Sequence, residues 1–168
     1  SGEVVNTLAP VERLKHVLSF TNNYIADTHS EANMFATLFL GSFERGTGRL
    51  TYANCGNESP LLYRGGEVVK TIKPTGPVLG LFCDATFRVE QIDVERGDML
   101  VAYTDGIPDA RNETNDFFGH EPLRHLPAGM SETTAKAIVD QIIGQVQQFI
   151  GYANQFDDIT LMTVKRCV

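Results

Sequence analysis

Along this chain the hydrophobic positions change period, and each change marks an element. Val11, Leu14, Val17, Leu18 and Ile25 recur at helical spacing behind Pro10, a residue tolerated at a first helical position because the N–H it lacks would have no partner there. A helix is expected from Pro10 to about Asp27. The period then shortens to that of strands. Met34 to Phe43, Leu50 to Asn54, Leu61 to Tyr63 and Val68 to Ile72 are short β-prone runs separated by Arg45-Gly46-Thr47-Gly48 and Gly65-Gly66, which are hairpin signals. This pattern predicts an antiparallel meander. Beyond the Pro- and Gly-rich stretch Lys73 to Gly80, further strands are expected at Thr86 to Ile92 and Met99 to Thr104, joined through Glu95-Arg96-Gly97-Asp98. Ser131 can cap a second long helix, in which Ala135, Ile138, Ile142, Val146 and Ile150 form an apolar stripe ending before Gly151. A last strand is expected from Ile159 to Lys165. Hairpins flanked by helices, with no βαβ crossovers, predict an α+β fold whose largely antiparallel sheet is covered by helices. No repeat, low-complexity tract or linker divides the chain, so residues 1–168 are expected to form a single domain.

Composition narrows the function classes. The 168 residues are 42% hydrophobic and 21% charged, the balance of a globular domain large enough to hold a core without disulfides or a structural metal. A net charge of −7 argues against nucleic acid as a partner, because tracking phosphates needs clustered positive charge. Cys55, Cys83 and Cys167 are odd in number and far apart, so zinc and a redox pair are not indicated and reduced thiols in a cytoplasmic protein are expected. The longest nearly apolar run, Met34 to Leu40, is far short of the roughly 20 residues that span a bilayer, and no membrane insertion of this domain is expected.

Candidate chemistry sits at two strand ends. Met99 to Tyr103 is apolar on both faces, hence central, and runs straight into Thr104-Asp105-Gly106. Asp157-Asp158 directly precedes the last strand. If those strands are antiparallel neighbours, the exit of one lies beside the entrance of the other, and the carboxylates of Asp105, Asp157 and Asp158 converge. Converging carboxylates repel unless a cation or a shared proton stabilises them. With oxygen donors and no His or Cys at useful spacing, the fitting ion is hard, Mg²⁺ or Mn²⁺, and acts on phosphate. Gly106 would let the backbone approach that ion. The same aspartates would equally serve turns or caps, and spacing alone leaves both readings open. No nucleotide-binding glycine pattern or nucleophile elbow occurs, and His16, His29, His120 and His125 are scattered.

The order of motifs carries a resemblance. Met34 to Phe39, Gly48-Arg49-Leu50-Thr51-Tyr52-Ala53-Asn54-Cys55-Gly56, Pro60-Leu61-Leu62, Thr75 to Leu81, Arg96-Gly97-Asp98, Tyr103-Thr104-Asp105-Gly106, Ala110-Arg111-Asn112, Phe118-Gly119 and Asp157-Asp158-Ile159-Thr160 follow one another. Over nearly its whole length the chain resembles the SpoIIE-like or RsbU-like bacterial metal-dependent protein phosphatases, relatives of the type 2C serine/threonine phosphatases. The resemblance implies an α-β-β-α sandwich of antiparallel sheets flanked by helices, and a site for two Mn²⁺ or Mg²⁺ ions. It assigns metal binding and catalysis to Asp105 and Asp157, with Gly106 and Asp158 as further ligand candidates. Thr104, Asp109 and Asn57 would stand behind the ligands as hydrogen-bonding supports. Asp109 replaces the family's usual Glu, and Asn57 falls where the family has His.

The implied substrate is a phosphoserine or phosphothreonine on an anti-anti-sigma-type regulatory protein, with a sensor or receiver domain preceding the phosphatase in the parent protein. The family's Asp-x-x-Gly-His/Lys-Gly motif, whose aspartate bridges both metals, does not occur in residues 1–168. The chain is therefore expected to be about the C-terminal three-quarters of a phosphatase domain, incomplete at its N-terminal side, weakly active or inactive, and assembled as a homodimer or strand-exchanged oligomer through exposed edges. The alternative is a pseudophosphatase module that sequesters or positions a sigma-factor regulator.

Overall fold

The computed structural model describes residues 9–29, 34–125 and 133–167. They fall into two compact units, the first made of residues up to Asn57 with Lys73–Val94, the second of Glu58–Ile72 with Glu95–Val168.

The first unit starts with helix α1 (Pro10–His29), beginning at the expected proline. Its apolar side, Leu18 and Ile25, packs with Ala53, Cys55, Leu79 and Phe87. The sheet beneath has the order β1 (Leu38–Glu44), β2 (Arg49–Cys55), β5 (Glu90–Asp93), all antiparallel. Two strands are shorter than the sequence predicts. Strand β1 begins at Leu38, opposite Cys55, because Gly56 at φ 72° turns the partner strand away, so Met34–Thr37 keep only the Ala36–Leu79 bridge. Strand β5 begins at Glu90 because the Asn54 carbonyl, just past the paired stretch of β2, instead accepts the N–H groups of Thr75 and Gly76 at 2.7 and 3.3 Å. The Cys55 thiol is buried here, and burial pushes its pKa up to about 11.

The second unit holds a four-stranded antiparallel sheet ordered β4 (Glu67–Thr71), β3 (Leu61–Arg64), β6 (Met99–Tyr103), β7 (Leu161–Lys165). Every residue of β6 is buried, as expected for a central strand with apolar faces. The short helix α2 (Glu121–Arg124) and the long helix α3 (Ala135–Ile150) complete the unit. Ile138, Ile142, Val146 and Ile150 of α3 meet Leu61, Tyr63, Val101 and Tyr103 in one core. Ser131, the expected cap of this helix, lies outside the described residues. Thr134 caps α3, its Oγ1 accepting the Ala137 N–H at 3.2 Å. The last strand begins at Leu161 instead of Ile159. Each unit is thus mixed helix and antiparallel sheet, the α+β class expected.

One buried charge locks the end of β6 opposite the candidate site. Asp98 is 1% exposed, and its carboxylate accepts Arg64 Nε and Nη2 at 2.9 and 2.8 Å and the Glu95 N–H at 2.8 Å. The Asp98 carbonyl takes the Arg166 N–H at 3.0 Å, so one residue ties β3, β6 and the end of β7 together. A buried carboxylate with three donors is stable; the donors left behind by its removal are not. Asp98→Ala is expected to cost about 2–3 kcal/mol, measured by urea denaturation, whereas truncation of the exposed Lys136–Asp140 pair should shift the midpoint little.

Candidate metal centre at the β6 and β7 strand ends

Strands β6 and β7 pair antiparallel from Met99 opposite Lys165 to Tyr103 opposite Leu161. This is the adjacency on which the convergence of carboxylates depends. The chain leaving β6 does not separate from the chain entering β7. Thr104 N–H donates to the Thr160 carbonyl at 3.1 Å. The Thr104 hydroxyl donates to the Asp158 carbonyl at 3.2 Å and accepts the Thr160 N–H at 3.0 Å. A side chain thus continues the ladder where the backbone twists away, and Thr104 is the tie between the two aspartate-bearing segments.

Past Thr104 the chain winds tightly. Ile107 N–H returns to the Thr104 carbonyl at 3.2 Å, and Asp109 N–H to the Asp105 carbonyl at 2.8 Å. Ile107 and Ala110 are sunk in the core at 0% and 2% exposure, which anchors the turn while Asp105 and Asp109 stay on its exposed side. Gly106 is buried against the Asp158 carbonyl, at a point where any Cβ would overlap that oxygen. The lack of a side chain at Gly106 therefore has a local reason, the close approach of the two segments. Across from it, Asp157 Oδ1 accepts the Asp158 N–H at 2.7 Å, and the Asp157 carbonyl accepts from Gln155 Nε2 at 2.7 Å. Asp157 and Asp158 are exposed, so their charges carry little desolvation penalty.

The structure brings the segments of Thr104, Asp105, Gly106, Asp157 and Asp158 together, with Asp109 one turn further on. Asn57 belongs to the first unit, its N–H held by Asn54 Oδ1 at 3.0 Å. Among the described residues, no three His, Cys, Asp or Glu side chains are grouped to hold a metal ion. Exposed carboxylates are hard oxygen donors of the kind Mg²⁺ and Mn²⁺ take with retained waters. The residues present fit such an ion in chemistry, as part of a donor set.

A polar pocket of about 190 Å³ in the second unit escaped sequence reasoning. Glu58, Ser59, Tyr103, His120 and Arg124 line it, with His120 Nδ1 3.8 Å from Glu58 Oε2 and Arg124 Nη2 3.5 Å from Thr71 Oγ1. Burial, reinforced by Glu58, pushes the Tyr103 hydroxyl up to about 12, so it remains a donor at neutral pH. Only the fold brings Glu58 and His120 together; no sequence spacing pairs them.

Residues 3–167 match the family model of Stage II sporulation protein E, SpoIIE. The chain belongs to the SpoIIE family. The SpoIIE domain is of the PP2C-like phosphatase kind. It is 37% identical over 154 residues to Protein IcfG of Synechocystis sp., covering 90% of this chain and 24% of that protein. It is 26% identical over 147 residues to the phosphoserine phosphatase RsbU of Bacillus subtilis, covering 87% of this chain and 43% of RsbU. The chain thus spans less than half the length of either relative. Its fold is similar to that of the SiaA-PP2C domain of Pseudomonas aeruginosa, with TM-score 0.75, 20% identity, and coverage of 97% of this chain and 63% of that one. It is similar also to the catalytic domain of the serine/threonine protein phosphatase PstP in complex with two manganese ions, with TM-score 0.63, 15% identity, and coverage of 92% and 70%.

The contact at Gly106 makes a sharp prediction for this SpoIIE domain. Gly106→Ala must push the Asp105 and Asp158 segments apart, at a cost of about 1–3 kcal/mol from overpacking. Thermal unfolding should show that loss, and amide exchange should quicken at Thr104 and Thr160; an unchanged exchange rate at both would show that the segments are not held by this contact.

Proposed function

We propose that the protein to which this domain belongs is a Mn²⁺- or Mg²⁺-dependent serine/threonine protein phosphatase, with Asp105 and Asp157 as metal-holding catalytic residues. The observation that carries this reading is the hydrogen-bonded junction of the Thr104-Asp105-Gly106 exit with the Asp157-Asp158 entrance. Asp158 and the Gly106 backbone are further candidates for the ion. Thr104 holds the two segments in register, and Asp109 and Asn57 are assigned supporting hydrogen bonds. A divalent ion held by Asp105 and Asp157 would supply positive charge for the phosphoryl oxygens and lower the pKa of a water, making hydroxide available as nucleophile near neutral pH. The chain's own part is to present exposed carboxylates on a stiff base, so that little rearrangement is needed when the phosphate arrives.

Membership of the SpoIIE family and the likeness to RsbU support this activity, and the manganese-bound PstP neighbour supports the cofactor. The substrate we assign is a phosphorylated regulatory protein of the anti-anti-sigma type, met in the cytoplasm, under the control of a preceding sensor or receiver domain. Among the described residues no helix is long and apolar enough to cross a membrane, and the net charge of −7 disfavours nucleic acid. We also assign a homodimer or strand-exchanged assembly, on the argument that exposed strand edges recruit a second chain.

One observation favours a second reading, a pseudophosphatase that binds its regulatory partner without turnover. No group of three His, Cys, Asp or Glu side chains able to hold a metal ion occurs among the described residues. The two readings separate in a Mn²⁺ titration with para-nitrophenyl phosphate and a phosphoserine peptide, comparing this chain with a longer version carrying the family's bridging aspartate. The phosphatase reading expects weak or no turnover by this chain, clear turnover by the longer one, and a loss of about 100-fold or more in Asp105→Asn of the longer version. Folded protein without turnover in either version would leave the binding module standing.

A further inference from the structure

Arg111 sits in a motif that the metal centre does not use, yet its surroundings point toward Asp157. Its guanidinium carbon lies 4.5 Å from the ring centroid of Phe117 and 4.2 Å from that of Phe156, so the cation is sandwiched between two aromatic faces. Phe156 is the residue immediately before Asp157. Phe117 and Phe156 are more than half exposed, at 55% and 56%, so removal of apolar surface from water accounts for only part of the stack. Attraction of a planar cation to the ring faces supplies the rest. Arg111 is itself fixed at its tip and through its backbone. Nη1 donates to Asn115 Oδ1 at 2.9 Å, and an antiparallel bridge joins Arg111 to Phe117.

The loop that carries Arg111 is stiff by construction. Asn112 Oδ1 accepts the N–H groups of Thr114 and Asp116 at 3.0 and 2.8 Å, and Asn112 Nδ2 donates to Asp116 Oδ2 at 3.1 Å. Asn115 takes φ 66°, a conformation asparagine tolerates better than most residues. From the same loop Glu113 Oε1 accepts the Tyr152 N–H at 3.1 Å. The connection from α3 to β7 is therefore gripped twice, at Tyr152 by Glu113 and at Phe156 by Arg111. Arg111 Nε, meanwhile, is shut off from solvent with no hydrogen-bond partner among the described residues.

We propose that Arg111 is a positioning residue for Asp157: stacked on Phe156 and braced by the Asn112–Asp116 loop, it sets where the chain entering β7 places that carboxylate, with Glu113 holding the other end of the connection. The proposal rests on the assignment of Asp157 as a metal ligand made above. Thr104 holds the far side of the same segment through the Asp158 carbonyl, so Asp157 stands between two independent restraints.

The test compares Arg111→Ala, Arg111→Lys and Phe156→Leu by amide hydrogen exchange and thermal unfolding in this chain, and by Mn²⁺ binding calorimetry in the longer version carrying the family's bridging aspartate. Arg111→Ala and Phe156→Leu are expected to speed exchange across Tyr152–Asp158 at least tenfold while the β6 amides keep their protection. Mn²⁺ affinity should fall about tenfold in both, and Arg111→Lys should recover part of each effect. Unchanged exchange in Tyr152–Asp158 for both Arg111→Ala and Phe156→Leu would overturn the proposal, as would faster exchange with unaltered Mn²⁺ affinity. Should Arg111→Ala fail to fold, Phe156→Leu alone decides, because its ring is half exposed. If the unsubstituted longer version takes up no Mn²⁺, the metal reading fails on that result, and the exchange data by themselves uphold or overturn the grip on Asp157.

Discussion

The register between β6 and β7 is the constraint on which the rest of the second unit depends. A strand buried on both faces cannot slip by one residue without turning every side chain to the wrong side, and β6 is such a strand. Its two ends are fastened by different means. At the entry, Asp98 binds the Arg64 side chain and the Arg166 backbone. At the exit, the Thr104 hydroxyl inserts itself into the ladder toward β7. The segments of Asp105 and of Asp157 and Asp158 are brought side by side by that double fastening.

Exposed charge on a buried foundation is the second theme of the site. Asp105 and Asp109 stand on a turn whose neighbours Ile107 and Ala110 lie in the core, so the turn is rigid although its carboxylates face water. Rigidity is supplied by apolar packing, and charge is kept where hydration makes it inexpensive. The connection into β7 has a thinner apolar base: Ala153 and Ile159 are partly buried against the core, while Tyr152, Phe156, Asp157 and Asp158 are exposed. Hydrogen bonds and a stacked cation add to what packing supplies there.

Much of this was legible in the sequence, and the parts that were not share a cause. Helix α1, the stripe of α3, and β6 as a central strand follow from periodicity and from apolar positions on both faces. Asp105 and the Asp157-Asp158 pair followed from one topological condition, that β6 and β7 be antiparallel neighbours, which the pairing satisfies. The starts of β1 and β5 did not follow, because a glycine turn after Cys55 and the Asn54 carbonyl decide them from another strand. Glu58 beside His120, and Arg111 between Phe117 and Phe156, are also products of distant segments meeting. A local pattern reports propensity and period; it carries no signal for a partner on another segment of the chain.

The Thr104 tie closes a stretch of 56 residues, and this has a kinetic consequence. Loop-closure entropy grows only slowly with length, by about 0.6 kcal/mol per doubling, but non-local pairing must wait until the intervening chain is organised. Here the intervening chain contains α2 and α3, and β7 is the last strand in chain order. The hairpin of β3 and β4 and the helices can form on contacts nearer in sequence, whereas the two aspartate-bearing segments meet only when β7 docks on β6. Any ion that requires both segments therefore finds them paired late in folding, and its uptake reports the completion of the sheet instead of nucleating it.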